Sequence, residues 1–278
     1  MRILLLCNRD LASNCAVNLL LPALAHHQLR IGLTERVGAM DRSEPMERRE
    51  LRAAEQIYPN EVMFPLIDKA GFKDDGVRHL TFGEIERLRN IPVCVFSNPN
   101  SPSGLAQTRA YAPDLVVSIR YGAILKADFL ALPRLGVLNL HSGLLPAYRG
   151  VLATFRALMN GDADIGCTLH RISDASIDTG EIVATARLPV APERSLLGNV
   201  LALYPLGCRL IRDAIEQLER GSALLGTRQS AGAGNYYTYP TADEWSQFTT
   251  RGLQVSLPAE LLAAYQRYFP SAGLAPAT

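Results

Sequence analysis

Short apolar runs alternate with helical patterns along most of this chain, and that alternation constrains its fold more than any other feature. The first run, RILLLC, is continuously apolar after its arginine, as in a strand that is buried on both faces of a sheet. Three further runs, PVCVF, DLVVSI and GVLNLH, read as strands with helical segments around them. Strands that alternate with helices are typical of a parallel sheet covered on both faces. The sequence therefore predicts an α/β fold with a doubly wound, mostly parallel sheet.

The C-terminal part has a different pattern. DIGCTLHRIS and EIVATARLPV follow each other closely and indicate paired strands, and residues 195–220 form one long amphipathic helical segment. A glycine-rich and then aromatic stretch, SAGAGNYYTYP, precedes a final helical region. Two capping boxes mark helix starts, Thr81 with Glu84 and Thr241 with Glu244. We therefore expect a small helical C-terminal extension after the sheet.

Composition and charge exclude several classes of partner. Of the 278 residues, 48% are apolar and 20% charged, as in ordinary globular proteins, and the formal net charge is +1. No basic stripe stands out, so no nucleic-acid partner is expected. No apolar stretch reaches the roughly 20 residues of a bilayer span, and the start lacks the plan of a secretory signal, so we expect a cytoplasmic protein without membrane contact. The five cysteines are scattered without zinc-site spacing, so no metal is expected.

Two polar side chains interrupt the predicted strand in LNLHSGLLPAYRG, residues 138–150. Side chains two positions apart point to one face of a strand, so Asn139 and His141 project together while Leu138 and Leu140 pack on the other face. Ligands of open α/β sheets bind beyond the carboxyl ends of the strands, and His141 ends its strand there. Taken alone, the pair fits a structural histidine beside a strand-end cap equally well.

Asp178 favours a chemical role for this pair. It stands in the turn of DASIDTGEIV, just before a predicted strand. A carboxylate near an imidazole raises the pKa of the imidazole and orients the ring. Other signatures are absent from the sequence: there is no Gly-x-Gly-x-x-Gly, no phosphate-binding P-loop and no Gly-x-Ser-x-Gly nucleophile elbow.

These residues resemble the folate-dependent formyltransferases, which include glycinamide ribonucleotide, methionyl-tRNA and nucleotide-sugar formyltransferases. An Asn-x-His followed by Leu-Leu-Pro and Arg-Gly, with Asp-x-Gly about forty residues later, carries the resemblance, which runs over roughly residues 113–190. It implies a Rossmann-like formyltransferase fold. Residues 1–192 would be the catalytic domain, and residues 193–278 would be a long helix and an extension packed on it.

The resemblance implies that Asn139, His141 and Asp178 catalyse formyl transfer from 10-formyltetrahydrofolate, the donor co-substrate, to an amine. Attack on the formyl carbon builds negative charge on its oxygen, which the Asn139 amide and a protonated His141 would stabilise by hydrogen bonds. Asp178 would keep His141 charged and help to remove the amine proton. The family commonly has Pro-Ser after the histidine where this chain has Ser142 and Gly143, a departure at the mouth of the pocket that leaves the three residues intact.

The resemblance also implies a pterin pocket with two walls. The first wall would consist of Arg120, Tyr121, Ile124 and Leu125, and the second of Ser173, Asp174, Ala175, Ser176 and Ile177. The first loop, CNRDLASN, lacks the glycines with which glycinamide ribonucleotide formyltransferase binds phosphate. Its Arg9, Asp10 and Asn14 are therefore candidate contacts to a different acceptor, and an equally weighted alternative is that they cap the first helix.

The expected acceptor is the primary amine of a small metabolite, such as an amino sugar nucleotide or an amino-acid-derived compound. The tail is too short and too helical for the β-barrel domain that helps methionyl-tRNA formyltransferases to hold RNA. Tyr236, Tyr237 and Tyr239 either stack on a sugar or base or pin the tail to the core.

Two alternative functions stay open. One is a formyltetrahydrofolate hydrolase of the same fold; such hydrolases usually carry an N-terminal regulatory domain, and a first strand that starts at residue 2 argues against it. The other is a non-catalytic folate- or metabolite-binding protein. The sequence does not decide whether the protein is a homo-oligomer.

Overall fold

The computed structural model describes residues 1–34, 44–230 and 232–270. The strands of the described residues are β1 (Arg2–Asn8), β2 (Gln28–Thr34), β3 (Val93–Val95), β4 (Leu115–Ile119), β5 (Val137–His141), β6 (Tyr148–Gly150), β7 (Asp164–Arg171), β8 (Ile182–Pro189) and β9 (Asn235–Tyr237). The α-helices are α1 (Leu11–Leu24), α2 (Met46–Arg52), α3 (Phe64–Ala70), α4 (Phe82–Arg89), α5 (Pro102–Tyr111), α6 (Ala127–Leu130), α7 (Ala153–Asn160), α8 (Leu196–Glu219), α9 (Ala242–Thr250) and α10 (Pro258–Gln266).

A seven-stranded sheet forms the centre of the fold, with the order β3-β2-β1-β4-β5-β7-β8. The first five strands of that order pair in parallel, whereas β7 is antiparallel to β5 and β8 is antiparallel to β7. The remaining strands, β6 and β9, pair in parallel as a separate two-stranded sheet. The prediction of a mostly parallel α/β sheet with paired strands near its end is confirmed.

The apolar run of β1 is buried on both faces, as its composition requires. Ile3 and Leu5 belong to the larger apolar cluster, on the face that α1 and α8 cover, while Leu4 and Leu6 belong to a second cluster on the opposite face. Successive side chains of a strand point to opposite faces, so a run without polar residues supplies both layers. The sheet is thereby fixed between two apolar layers, and its carboxyl edge is left for the loops.

Both predicted capping boxes are present. The Thr81 hydroxyl accepts a hydrogen bond from the Glu84 N–H at the start of α4, and Thr241 and Glu244 repeat the arrangement at α9. The stretch AILKADFLAL, between the strand runs DLVVSI and GVLNLH, has a helix-like pattern, but its helix covers only Ala127–Leu130.

The polar composition of residues 41–75 is typical of a segment that is helical over much of its length, and the structure shows one interrupted helical stretch there. Residues 41–43 of that segment lie outside the described residues. Two π-helical turns, Ala53–Ile57 and Pro59–Met63, separate α2 from α3. Such widened turns often occur at functional sites. Here they present Glu55 and the neighbouring side chains of α2 to the carboxyl edge of the sheet.

The C-terminal helices complete the main core. Trp245 and Phe248 of α9 and Tyr268 after α10 are fully buried in the apolar cluster that contains Ile3 and Leu5. Within the described part of the chain, no helix combines the length and the apolar character that crossing a membrane requires.

Candidate active site

A cavity of about 630 Å³ opens at the carboxyl ends of β4 and β5. That volume lies in the range of small-molecule sites. Its lining includes Asn139, His141 and Asp178, which the structure brings together from β5 and the turn before β8. It also includes all nine residues predicted as pocket walls, namely Arg120, Tyr121, Ile124, Leu125, Ser173, Asp174, Ala175, Ser176 and Ile177.

His141 is the last residue of β5 and is held from both sides of its ring. Its Nε2 donates to the Tyr148 carbonyl oxygen at 2.6 Å, and its Nδ1 lies 3.5 Å from Oδ2 of Asp178. A carbonyl can only accept, so the bond to Tyr148 fixes a proton on Nε2. The separation at Nδ1 exceeds the usual hydrogen-bond length, which leaves this nitrogen available to a proton or a ligand group.

Asp178 is fixed by the backbone of the loop that follows β5. Its Oδ2 accepts a hydrogen bond from the Gly150 N–H at 2.8 Å, and its own carbonyl accepts one from the Gln229 side chain at 2.9 Å. Its φ of +56° lies in the left-handed region, which is uncommon for a residue other than glycine and which turns the carboxylate toward His141. Such conformations cluster at functional sites.

Burial is the largest influence on the pKa of both groups. It lowers the pKa of the His141 imidazole below the ordinary 6.5, and the opposing effects of Asp178 and the Tyr148 carbonyl do not compensate. Burial alone would raise the pKa of the Asp178 carboxyl, but His141, His170 and the Gly150 N–H together hold it below the ordinary 3.8. Burial at this site therefore acts against the charged imidazole that the resemblance implies, and Asp178 opposes that effect only in part.

His170, which its place in a predicted strand marks as a packed residue or a neighbour of the site, lies beside Asn139 and Asp178. It lies on β7 directly opposite Asn139 on β5, and it is almost fully buried. The Asn139 amide donates to its Nε2 at 3.0 Å, its Nδ1 donates to the Arg171 carbonyl at 2.9 Å, and its Nε2 lies 3.3 Å from Oδ1 of Asp178. An amide carries two N–H donors, so one donor of the half-buried Asn139 remains for a ligand in the cavity. Only the antiparallel register of β5 and β7 reveals this contact.

Arg120 lies at the cavity but is already paired. Its Nε donates to Oδ2 of Asp10 at 3.0 Å, and a second guanidinium nitrogen donates to Glu55. Burial raises the pKa of the Glu55 carboxyl to about 7, against the lowering effect of Arg120. The first wall therefore combines an internal ion-pair network with the half-exposed apolar side chain of Ile124.

The second wall is a turn that closes on itself. The Ser176 N–H donates to Oδ1 of Asp174 at 2.7 Å, and residues 173–177 are mostly exposed to the cavity mouth. Ile177 presents an exposed apolar side chain there. The two predicted walls thus line one cavity. The first wall is bonded to buried residues of the core, whereas the second is held by a hydrogen bond within its own turn.

The prediction that Arg9, Asp10 and Asn14 contact the acceptor is not met in this structure. None of the three lines the cavity. Asp10 is fully buried, where it accepts from the Ser13 N–H as the cap of α1 and from Arg120. Asn14 is also fully buried and accepts a hydrogen bond from the Tyr268 hydroxyl at 2.6 Å. The alternative of a helix cap is confirmed for Asp10, because both of its carboxylate oxygens are needed inside the protein.

Two tyrosines of the tail reach the cavity, and one does not. Tyr237 of β9 stacks on Tyr148 with ring centroids 5.9 Å apart. Tyr236 and Tyr239 are half-exposed and line the cavity. The Arg48 guanidinium of α2 lies 4.1 Å from the centre of the Tyr239 ring. The tail is thus pinned by one aromatic ring while the two others face a ligand site.

Gly143 occupies a position that admits no side chain. A Cβ atom there would lie 2.7 Å from Nε2 of His141, which is closer than real Cβ contacts. The glycine that departs from the family pattern therefore fits a loop whose backbone lies against the imidazole.

Comparisons with known proteins agree in one family. Residues 89–198 match the family model for formyl transferases. A methionyl-tRNA formyltransferase of Nitrobacter winogradskyi is 35% identical over 156 residues, which are 56% of this chain and 49% of that protein. One from Burkholderia mallei is 41% identical over 123 residues, 44% of this chain and 37% of that protein. The chain thus matches about half or less of the length of these curated relatives.

Solved structures with the same fold include two kinds of enzyme. Glycinamide ribonucleotide transformylase 1 from Symbiobacterium toebii superposes with a TM-score of 0.56 at 18% identity, over 83% of this chain and 94% of that one. A sugar N-formyltransferase from Shewanella sp. FDAARGOS_354 gives a TM-score of 0.55 at 16% identity, over 99% of this chain and 90% of that one. At these identities the likeness concerns the fold.

Proposed function

We propose that this chain, whose residues 89–198 match the family model for formyl transferases, transfers a formyl group from 10-formyltetrahydrofolate to the primary amine of a small metabolite. One observation carries the proposal. Asn139, His141 and Asp178 meet at a cavity with unused hydrogen-bonding capacity directed at a ligand. A purely structural cluster would use that capacity internally.

The neutral state of His141 suits an acceptor that arrives as an ammonium ion. Nδ1 of His141 takes one proton from the ammonium, which frees the amine lone pair and makes the imidazolium beside Asp178. The amine then attacks the formyl carbon, and the remaining N–H of Asn139 and the imidazolium donate hydrogen bonds to the developing oxyanion. Each such donor is worth about 3 kcal/mol in comparable sites.

Collapse of the oxyanion breaks the bond between the formyl carbon and N10 of the folate. N10 takes the proton of His141, and the acceptor nitrogen loses its second proton to Asp178, directly or through water. The products are the formamide, tetrahydrofolate and one released proton. His170 acts here as a positioning residue, because its Nε2 accepts a hydrogen bond from the Asn139 amide and orients that side chain beside Asp178.

The folate pterin is placed between the two walls of the cavity. Ile124 and Leu125 supply an apolar face, and the turn over residues 173–177 supplies the opposite one. A charge at the exposed Ile124 would be desolvated by the bound ring, so Ile124→Asp is expected to raise KM for the folate. Leu225→Asp, at an exposed apolar residue outside the cavity, is the matched control.

A small acceptor fits the charge and the cavity of this chain. The formal net charge of +1 gives the chain no overall excess of positive charge for RNA. At the cavity, Tyr236 and Tyr239 offer stacking faces and Arg48 offers a positive charge, and we place the acceptor there instead of at the first loop. Because the curated relatives are methionyl-tRNA formyltransferases, initiator methionyl-tRNA belongs in any acceptor panel.

Release of tetrahydrofolate from 10-formyltetrahydrofolate, measured with a panel of amines and a control without amine, tests the proposal. Turnover with one class of small amine supports it and identifies the acceptor. Release without amine would instead indicate the hydrolase, and folate binding without any release would indicate the binding protein. Turnover only with methionyl-tRNA would overturn the choice of a small acceptor.

A further inference from the structure

A second cluster of ionisable side chains lies at the opposite edge of the sheet from the cavity. His26 and His27 connect the end of α1 to the start of β2, and Glu219 is the last residue of α8. Nε2 of His26 is 2.8 Å from Oε1 of Glu219, and Nε2 of His27 is 3.3 Å from the same oxygen. All three ligand atoms lie within 4.8 Å of one another.

His27 has a buried nitrogen that the protein itself does not satisfy. Its side chain is 1% exposed, and its Nε2 forms no hydrogen bond with any residue that the structure describes, although it faces Glu219. Nδ1 lies 3.2 Å from the α-amino nitrogen of Met1. Buried polar atoms without a partner are rare and point to a missing one.

The ends of two helices add negative charge at this edge, against the positive α-amino group of Met1 beside His27. Both α1 and α8 end here, and neither has a basic residue in its last turn. The C-terminus of a helix carries partial negative charge, to which Glu219 adds a full one. The following residue, Arg220, is turned away toward Glu216, 3.6 Å from that carboxylate, and is mostly exposed.

We propose that His26, His27 and Glu219 bind one divalent transition-metal ion of the Zn²⁺ class. Two imidazoles and a carboxylate are a ligand set that zinc uses, with water in the fourth position of a tetrahedron. At bond lengths of about 2.0–2.2 Å, tetrahedral ligand atoms lie roughly 3.4 Å apart. The separation between His27 and Glu219, 3.3 Å, is close to that value, and an ion would have to widen the 2.8 Å between His26 and Glu219. The ion would tie the end of α8 to the turn between α1 and β2, far from the cavity, so its role is structural.

Calorimetric titration of the chelator-treated protein with Zn²⁺ tests this site. The expected result is one ion per chain. His26→Gln and Glu219→Gln should each weaken binding at least tenfold, since even partners outside the ligand shell are worth about 10–100-fold. Glu216→Gln, three residues earlier on α8, is the matched control and should bind Zn²⁺ as the unaltered chain does. Zn²⁺ should also raise the Tm of the unaltered chain and of Glu216→Gln, and of neither ligand variant.

Two ligand variants are used so that the test does not depend on the folding of either one. His26 is largely exposed and Glu219 partly exposed, so replacement of either leaves the core intact. The proposal would be overturned if the unaltered chain did not bind one Zn²⁺ ion. It would also be overturned if His26→Gln and Glu219→Gln bound Zn²⁺ as tightly as the unaltered chain. Tetrahydrofolate release should be unchanged in both variants, so the metal site and the formyl transfer are tested independently.

Discussion

Two buried ion pairs of this protein differ in how completely they are bonded. Arg78 and Glu84 are 1% and 0% exposed and form two parallel hydrogen bonds of 2.8 Å, and Glu84 also closes the capping box with Thr81. The remaining Arg78 donors bind the backbone carbonyls of Phe72, Lys73, His79 and Tyr268. In contrast, His141 and Asp178 approach only to 3.5 Å and face a cavity.

The difference distinguishes a charged pair that only stabilises the fold from one that can still bind a ligand. Every donor of Arg78 has an internal acceptor, so the pair has nothing left to offer a ligand. His141 keeps Nδ1 available, and Asn139 beside it keeps one N–H. Incomplete hydrogen bonding of buried groups is costly for folding, and such groups at a cavity indicate a candidate functional site.

The largest expected effect is on turnover, through Asp178→Asn. An asparagine still accepts the Gly150 hydrogen bond but cannot take a proton, so tetrahydrofolate release with the preferred amine should fall about 10²–10⁴-fold. Asp213→Asn, at an exposed aspartate of α8, should leave release unchanged. Asp178→Asn with more than a tenth of normal turnover would show that the carboxylate is not the proton acceptor.

The next effect is on stability, through Arg78→Ala. Loss of the guanidinium leaves the Glu84 charge buried without its partner, which should lower the free energy of unfolding by about 3–5 kcal/mol. Urea titration measures it, with Arg87→Ala on the exposed side of α4 as the control. Turnover per folded molecule should stay normal. A loss below 1 kcal/mol would remove the contrast between the two pairs.

A smaller effect is expected from pH, through His79, whose carbonyl Arg78 contacts. Burial, with Arg267, lowers the pKa of His79 to about 4, so between pH 6.5 and 4 the unfolded chain binds more protons than the folded one. The free energy of unfolding should therefore fall as the pH drops through that range, by up to about 3 kcal/mol. Urea titrations at several pH values measure the slope. His79→Gln should flatten it, and an unchanged slope would assign the acid sensitivity to other groups such as His141.

The smallest effect is expected at the helix cap of the structural pair. Thr81→Ala removes the hydroxyl that accepts the Glu84 N–H and should lower the free energy of unfolding by about 1 kcal/mol. Thr81→Ser keeps the hydroxyl and should retain most of that stability. Equal Tm values for the alanine and serine variants would mean that the cap contributes nothing to holding Glu84.

Local patterns in the sequence predicted the parts of the fold that depend on neighbouring residues. The apolar run of β1, both capping boxes and the strand that carries Asn139 and His141 all follow from spacing within a few residues. The two cavity walls followed from the family resemblance, and they line one cavity.

Contacts between distant segments account for what the sequence did not predict. Asp10 is engaged by Arg120, 110 residues further on, so a residue expected at the acceptor became a buried partner. His170 joined the site through the register of an antiparallel pair. Tyr236 reaches the cavity because β9 pairs with β6. None of these pairings leaves a periodic signal along the chain.

The two-stranded sheet of β6 and β9 joins the loop after β5 to the tail. β6 contains both the Tyr148 carbonyl that binds His141 and the Gly150 N–H that binds Asp178, and β9 is its pairing strand. The two strands are thus one structural unit, although about eighty residues separate them in the sequence. A chimera that takes the loop from one relative and the tail from another should fold around its intact main sheet and still be inactive, because the mismatched strand no longer holds the imidazole and the carboxylate in place.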